Sequence, residues 1–230
     1  MLTKSTVKKI DRTAGELARS WLRHWVVHPL LAARYKVVVH GMEEGLSIKE
    51  GAVVVSNHVS RLDAALLMDA AWPFARLRPT AWWSEYDHPF QKWAMVLFGT
   101  VRMGSPKELP EVERQRITKE TKETLSKLLR AGWGVLLFCE GGIGDGTTVR
   151  IHPRLSGVHD LLAAHPDKPL LLVRIEGIGN SRPRGGWLRK QVHIHLTRVD
   201  APCLAGGVEV FNQRLSDFYN QGTLPARITA

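Results

Sequence analysis

The sequence predicts an α/β fold: a single domain in which a mostly parallel central sheet is flanked by helices and preceded by an N-terminal amphipathic helix. Two short apolar runs, residues 53–55 and 134–138, have the length and the aliphatic content of fully buried strands. Segments with apolar side chains at helical spacing alternate with such runs along the chain, an order typical of α/β domains. With 230 residues, the chain is long enough for one domain of this kind with a full core.

The remaining elements follow from the same periodicities, taken in chain order. The predicted strands are bounded by turn-forming or charged residues, and they cover residues 36–40, 53–55, 77–83, 99–103, 134–138, 168–175 and 191–199. The predicted helices combine an apolar stripe with a polar face, and they cover residues 63 to about 73, 89–98, 110–130, 156–165 and 208–219. No internal repeat or composition shift marks a second unit, so residues 36–230 are predicted to form one domain.

Residues 1–35 are predicted to form a separate basic helical segment. Its apolar stripe recurs at helical spacing and consists of Val7, Ile10, Ala14, Leu17, Trp21 and Trp25. Trp21 and Trp25 at one end of that stripe, with lysines and arginines on the other faces, suit a helix lying in the headgroup region of an anionic bilayer. The same stripe would suit packing on the domain core, and the pattern leaves both open. Pro29 is predicted to end or bend the helix.

The charge balance favours an anionic partner. Lysine and arginine number 32 against 22 aspartates and glutamates, and the net charge of +10 suits a phospholipid surface, a nucleic acid or an acidic carrier. The two cysteines, Cys139 and Cys203, make no disulfide framework and indicate a reducing compartment. No apolar stretch approaches the roughly 20 residues of a membrane-spanning helix, and no secretory signal is visible, so any membrane association is expected to be peripheral.

Polar residues able to carry proton chemistry follow the strand at residues 53–55. His58 and Asp63 are five positions apart, about 140° around a continuous helix, so one helix cannot hold them as partners. If Ser60 is the N-cap, Asp63 becomes the third helical residue and His58 lies in the preceding turn, where the chain can fold back towards it. The same spacing fits a capping box beside an ordinary loop histidine. Both interpretations describe one strand-to-helix turn, at the edge of the sheet where α/β proteins bind ligands.

A second polar loop follows the strand at residues 134–138. It begins with Cys139 and Glu140 and continues through glycines that allow a close approach of the backbone to a ligand, among them Gly141 and Gly142. The Lys-Ser/Thr ending of a P-loop is absent, which argues against a nucleoside triphosphate site. Cys139 could be a nucleophile, but it ends an apolar run and is expected to be a buried structural thiol.

A metal site is not predicted. His193 and His195 lie on one face of a strand and could begin such a site, but two histidines without a third ligand are a weak signal. An exposed strand face is the expectation.

Together the two loops resemble the 1-acylglycerol-3-phosphate acyltransferase family of the glycerolipid acyltransferases. Residues 57–63 fit its Asn-His-x-Ser-x-x-Asp signature at every defined position. The second family motif, Phe-Pro-Glu-Gly-Thr-Arg, is partly kept, with Phe138, Glu140 and Gly141 matching and Cys139, Gly142 and Ile143 replacing the proline, threonine and arginine. The resemblance covers about residues 36–175.

The resemblance implies transfer of a fatty acyl group from a thioester, acyl-CoA or acyl carrier protein, to the hydroxyl of a lysophospholipid. A hydroxyl is a poor nucleophile at neutral pH, so a positioned base is needed. His58 is hypothesised to be that base, with Asp63 orienting its ring and no acyl-enzyme formed. The family pattern and the local cations suggest substrate-binding residues, namely Asn57, Ser60, Arg61, Arg102, Glu140, Gly141, Gly142 and Arg150. Ile143 leaves the acceptor phosphate without the family's arginine, so Arg61, Arg102, Arg150 and Arg154 are candidates to replace it.

The implied partners are an anionic membrane surface, a lysophospholipid and the acyl carrier, on the cytoplasmic side of a membrane, with no nucleic acid and no resident cofactor. Two alternatives stay open. One is acyl transfer to a different lyso-lipid; the other is a non-catalytic, basic membrane- or nucleic-acid-binding module on the same fold.

Overall fold

The computed structural model describes residues 21–41, 50–71, 76–82, 89–104, 109–178, 190–200 and 202–221. Its strands are β1 (Tyr35–His40), β2 (Val53–Ser56), β3 (Leu77–Trp82), β4 (Val101–Met103), β5 (Gly134–Phe138), β6 (Leu170–Glu176) and β7 (Lys190–Val199). The helices are α1 (His28–Arg34), α2 (Asp63–Ala70), α3 (Pro89–Phe98), α4 (Glu111–Arg130), α5 (Gly157–Ala164) and α6 (Gly207–Gln221), and a π-helical turn at Arg23–Val27 precedes α1. These elements fall where the periodicities predicted them.

All of these strands belong to one sheet, in the order β1-β7-β6-β2-β5-β3-β4. The five strands from β6 to β4 are mutually parallel, while β7 is antiparallel to β6 and pairs in parallel with β1. The predicted α/β class with a mostly parallel sheet is therefore confirmed. Since β2 and β5 are parallel neighbours, with Ser56 opposite Phe138, the loops that follow them leave the same edge of the sheet side by side.

The core lies on both faces of the sheet. Val54 packs on the face covered by α1 and α2, and Val53 and Val55 pack on the face covered by α4, α5 and α6. Such a strand reads as a continuous apolar run because both of its faces are buried. The central position of β2 holds the turn that follows it on a rigid base.

The N-terminal segment is described only from Trp21, so the predicted stripe from Val7 to Leu17 lies outside the described residues. Helical structure continues through Pro29, so the prediction that Pro29 ends the helix is wrong. Pro29 occupies the first turn of α1, where its missing N–H is tolerated. Among the described residues, no helix is long and apolar enough to cross a bilayer.

Element ends differ from prediction where a turn takes over. Residues 99 and 100 were expected in a strand, but their N–H groups bond back to Val96 and Met95 and close α3. Gly99 adopts a positive φ of 61°, which other residues rarely adopt. Strand β4 therefore begins only at Val101.

Candidate active site

The turn between β2 and α2 places His58 against Asp63. The His58 Nδ1 and Asp63 Oδ2 atoms are 2.9 Å apart, and the backbone N–H groups of Val59 and Ser60 donate to the same oxygen over 2.7 and 2.8 Å. The Asp63 side chain is fully buried, whereas that of His58 is 19% exposed. Asp63 thus fixes the orientation of the imidazole through Nδ1.

The turn also starts the helix. Ser60 Oγ accepts the N–H of Leu62 at 3.2 Å, and the Asp63 carboxylate accepts the N–H of Ser60. These bonds form only half of a capping box, because the Asp63 N–H donates to the Ser60 carbonyl at 3.1 Å and not to the Ser60 hydroxyl. The α-helix begins at Asp63 with Leu62 as its N-cap, so the prediction of Ser60 as the N-cap is wrong, while the predicted fold-back of the turn between His58 and Asp63 is present.

The two predicted loops are in direct contact. The His58 ring stacks on Phe138 at the end of β5, with ring centroids 4.1 Å apart. The His58 N–H donates to Glu140 Oε2 at 2.8 Å, and the His58 carbonyl accepts the N–H of Gly144 at 2.7 Å. His58 is therefore fixed on three sides, by Asp63, by Phe138 and by the loop that carries Glu140.

Asn57 joins this turn to the next strand of the sheet. Its Nδ2 donates to the Ile175 carbonyl at 2.9 Å, and its Oδ1 accepts the Ile175 N–H at 2.8 Å. The side chain is buried. Asn57, which the sequence suggested as a substrate-binding residue, thus clamps β6 to the turn and also lines the cleft described below.

Glu140 lies half-buried between the two loops. Burial raises the pKa of Glu140, while the N–H groups of His58 and Arg150 act in the opposite direction. A Cβ at Gly144 would collide with the Glu140 carboxylate, so a side chain at this position would displace that carboxylate. Gly141 adopts a positive φ of 66°, and its carbonyl accepts Trp82 Nε1–H at 2.8 Å. The sequence pattern anticipated the glycines but not the tryptophan.

Hydrogen bonds within the loop and a contact from α6 hold the rest of this loop. Asp145 accepts the N–H groups of Thr147 and Thr148 and the Thr147 hydroxyl, which together lower the pKa of Asp145 to about 2. On α6, Asn220 makes paired hydrogen bonds of 2.9 and 3.0 Å with the backbone of Val149. Helix α6 is thus part of the site's support.

Beside Glu140 lies a cleft of about 240 Å³. Its walls are formed by Asn57, Val59, Glu140, Tyr219 and residues 146–149 and 174–178. Arg174 supplies a cation to this wall and pairs with Glu176 at 2.7 Å. The charged groups of this cleft are thus one guanidinium and the carboxylates of Glu140 and Glu176, next to the loop that fixes His58.

A model of the Acyltransferase family matches residues 36–176, more than half of the chain. The chain belongs to the acyltransferase family. In fold it is similar to the crystal structure of the 1-acyl-sn-glycerophosphate (LPA) acyltransferase PlsC from Thermotoga maritima, with a TM-score of 0.58, 19% identity, and coverage of 96% of this chain and 82% of that chain. No curated protein matches the chain. The resemblance noted in the sequence and the prediction of an acyltransferase enzyme are confirmed.

The arginines expected to serve this acyltransferase lie in different places. The Arg150 N–H contributes to the environment of Glu140, and Arg61 is exposed in the β2–α2 turn. Arg102 lines a separate open groove of about 790 Å³ between α3, β4 and α4, which shares no residue with the cleft. Arg174 was missed by sequence reasoning, because a single cation in an apolar strand carries no pattern of its own.

Ile143 and Cys139, which replace family residues in the second loop, differ in their exposure to solvent. Ile143, which stands at the family's arginine position, is 44% exposed and brings no charge to the site. Cys139 is buried in the core face under α4, α5 and α6, and desolvation raises the pKa of its thiol well above the usual value. Since the thiolate is the nucleophilic form, this environment disfavours an acyl-cysteine intermediate.

Proposed function

We propose that this acyltransferase moves a fatty acyl group from a thioester donor to the hydroxyl of a lysophospholipid such as 1-acylglycerol-3-phosphate. The observation that carries the proposal is the 2.9 Å contact between His58 Nδ1 and the fully buried Asp63 carboxylate. The structurally similar PlsC is, by its title, an acyltransferase for 1-acyl-sn-glycerophosphate. The membership of the chain in the acyltransferase family supports the same class of reaction.

In this proposal His58 is the general base. As the acceptor oxygen forms its bond to the thioester carbonyl carbon, the hydroxyl proton moves to His58 Nε2, and Asp63 stabilises the imidazolium. The carbon–sulfur bond then breaks, and the departing thiolate takes the proton from the imidazolium. No covalent enzyme intermediate is required, in agreement with the buried Cys139.

The cleft beside Glu140 is the proposed place for the acceptor headgroup. A phosphate requires cationic or backbone donors, and Arg174 in the cleft wall offers a planar guanidinium. Arg150 follows the same loop and is the second candidate. When phosphate binds, Arg174 would have to divide its hydrogen bonds between the phosphate and Glu176, or release Glu176.

The donor is proposed to be acyl-CoA or acyl carrier protein, used as a co-substrate, with no resident cofactor or metal in the reaction. Both carriers are anionic, and the net charge of +10 favours either of them. The chemistry at the carbonyl carbon is the same for both, so the site geometry does not rank them.

Membrane attachment is proposed to be peripheral, on the cytoplasmic side, through the N-terminal segment. Trp21 and Trp25 are 64% and 61% exposed and their rings lie 5.9 Å apart, while Leu30 of the following helix is 67% exposed. Tryptophans at this level of exposure suit the headgroup region of a bilayer. A surface enzyme of this kind would meet its lysophospholipid within the membrane.

The test of the reaction uses radiolabelled acyl-CoA and acyl carrier protein with a panel of lyso-lipids. Wild type, His58→Ala and Asp63→Asn are compared, and circular dichroism verifies the fold of each variant. We expect product from wild type with lysophosphatidate, and strong loss in both variants. Product that is unchanged in a folded His58→Ala enzyme would remove the base assignment.

A second candidate function keeps the chemistry but uses a lyso-lipid without glycerol phosphate. Ile143 favours it, because this exposed apolar side chain stands where the family pattern has its arginine. The same panel separates the two candidates: a His58-dependent product with a neutral or zwitterionic acceptor, and none with lysophosphatidate, would select the second.

The attachment is tested by sedimentation with anionic phospholipid vesicles. We expect Trp21→Ala/Trp25→Ala in the full chain to reduce the bound fraction. Val112→Ala, which removes a side chain 81% exposed on α4, serves as the matched control and should leave it unchanged. Equal binding by the tryptophan variant and wild type would contradict the anchor.

A further inference from the structure

Three histidines from two strands meet on one face of the sheet. His40 ends β1, and His193 and His195 lie in β7, which pairs in parallel with β1 so that His40 is opposite His195. Sequence alone points only to the β7 pair, with no third ligand. The register of two strands far apart in the chain brings the third histidine to them.

Helices α1 and α2 cover one face of the sheet, and the three histidine side chains lie on the opposite face. Val192 and Ile194 are buried in that core, so the alternation of a strand directs His193 and His195 to the opposite face. Val37 and Val39 pack against the same core, which places His40 on the face of the other two histidines. His195 is 42% exposed and therefore accessible to a dissolved ion.

The nitrogen atoms are close enough for one ion. His40 Nε2 and His193 Nδ1 are 3.0 Å apart, and one ligand atom from each of the three histidines lies within 4.8 Å of the others. In a tetrahedral site with Zn–N bonds of about 2.0–2.1 Å, the nitrogens would be separated by about 3.3 Å. Side-chain rotations alone can convert the observed arrangement into that one.

We propose that His40, His193 and His195 form a binding site for a divalent transition metal ion of the Zn²⁺ class. Imidazole nitrogen is a preferred ligand of such ions, and three histidines with one open position are a known ligand set for Zn²⁺. On binding, the proton shared between His40 and His193 moves to the outer nitrogen of its ring, so that each of the two rings presents a lone pair. The fourth position is left to water or to Glu176.

Glu176 is placed to support this site. Its Oε2 atom lies 3.7 Å from His195 Nε2, and it is the cross-strand neighbour of His193 on β6. An ion held here would join β1, β7 and β6, and would fasten the edge strand β1 that follows the N-terminal helix. Glu176 also lines the cleft beside Glu140 and pairs with Arg174, so the test measures metal binding directly and does not use enzymatic activity.

The experiment uses the full chain without a histidine affinity tag, freed of metal by dialysis against a chelator. Co²⁺ is titrated in as a spectroscopic probe, followed by Zn²⁺ as competitor, and the melting temperature is measured with and without Zn²⁺. We expect one equivalent of Co²⁺ with the intense visible absorption of a low-coordinate site, displacement by Zn²⁺, and a higher melting temperature.

His40→Asn and His195→Gln are each expected to weaken the affinity for Co²⁺ by more than roughly tenfold. A loss of about tenfold is typical when the residue removed only hydrogen-bonds a metal ligand. Both positions are accessible, and the melting temperature without metal verifies that each variant folds. His24→Asn is the matched control. His24 stacks on His28 one helical turn away, and these two histidines form another pair that could bind the metal ion. Failure of wild type to bind, unchanged binding in both β-strand variants, or loss in His24→Asn would overturn the proposal.

Discussion

The two loops that leave the centre of the sheet are built in opposite ways. In the turn after β2, the polar contacts of Asp63 are made to residues 58–60, and the carboxylate is fully buried. In the loop after β5, support comes from Trp82 on β3, from the His58 backbone and from Asn220 on α6. The Asp63 carboxylate is thus held by its own turn, whereas the loop after β5 draws much of its support from other elements of the fold.

This difference suits a division of labour in an acyltransferase. Proton transfer needs one fixed geometry, and a short turn with a buried carboxylate supplies it with few degrees of freedom. Recognition of an acceptor headgroup can vary between relatives, and a half-exposed loop beside a cleft can change one side chain, such as Ile143, without disturbing the turn. With this division, changes in the first loop should alter kcat and changes in the second loop should alter the acceptor KM.

The largest effect is expected for His58→Ala. Loss of a general base lowers kcat by roughly 10²–10⁴-fold, and the acceptor KM should change little because the cleft residues do not include His58. Steady-state kinetics with saturating donor measures both constants. His24→Ala, an exposed histidine on the N-terminal segment, is the control and should keep its kcat. A His58→Ala enzyme with a raised KM and normal kcat would reverse the division of labour.

An effect on acceptor binding is expected for Arg174→Ala. A hydrogen bond to a charged group contributes about 1.5–3 kcal/mol, so the acceptor KM should rise roughly 10- to 100-fold with kcat less affected. Arg198→Ala is a matched control, because Arg198 also pairs with an acidic residue two positions later, Asp200. Arg150→Ala should have a smaller effect of the same sign. An unchanged KM for both Arg174→Ala and Arg150→Ala would move the acceptor away from this cleft.

A smaller effect is expected for Asn220→Ala, which removes the clamp on Val149. Two hydrogen bonds at an exposed position should cost about 1 kcal/mol of unfolding free energy, and a looser loop should raise the acceptor KM a few-fold. Gln213→Ala, on the same helix and bonded only within it to Asp217, is the control. Chemical denaturation and kinetics measure the two effects. A fall in kcat without a change in KM would show that α6 supports the catalytic turn instead.

Local contacts explain what could be predicted from the sequence. The β2 strand, the glycine-rich loop and the reach of His58 to Asp63 all depend on residues a few positions apart, so pattern and turn chemistry were sufficient. The passage of the helix through Pro29 was missed, because a proline ends a helix only when it lies beyond the first turn.

Contacts across the sheet explain what could not be predicted. Arg174 enters the cleft wall because β6 lies beside β2, and Asn57 bonds the backbone of Ile175, 118 residues later. His40 meets His193 across 153 residues. Strand order decides each of these, and no local pattern in the chain encodes strand order.

The smallest predicted effect concerns the pH dependence of stability in the second loop. Burial raises the pKa of Glu140 in the folded state above its unfolded value. The contribution of the protonated group is therefore fully present below the unfolded pKa and is lost as pH rises through the folded pKa. Glu140→Gln has no such titration, so its unfolding free energy should increase relative to wild type as pH rises through the titration of Glu140.

Asp145, five residues on in the same loop, provides a control of opposite sign. Its hydrogen bonds lower its folded pKa to about 2, so its contribution is present above the unfolded pKa and is lost as pH falls through the folded value. Asp145→Asn should accordingly lose stability relative to wild type as pH rises from about 2 to about 5. Urea unfolding across the range measures both differences. If the stability differences of the two variants changed with pH in the same direction, burial would not govern the pKa of Glu140. The Glu140 carboxylate would then be grouped with the fixed turn after β2 and not with the adaptable loop after β5.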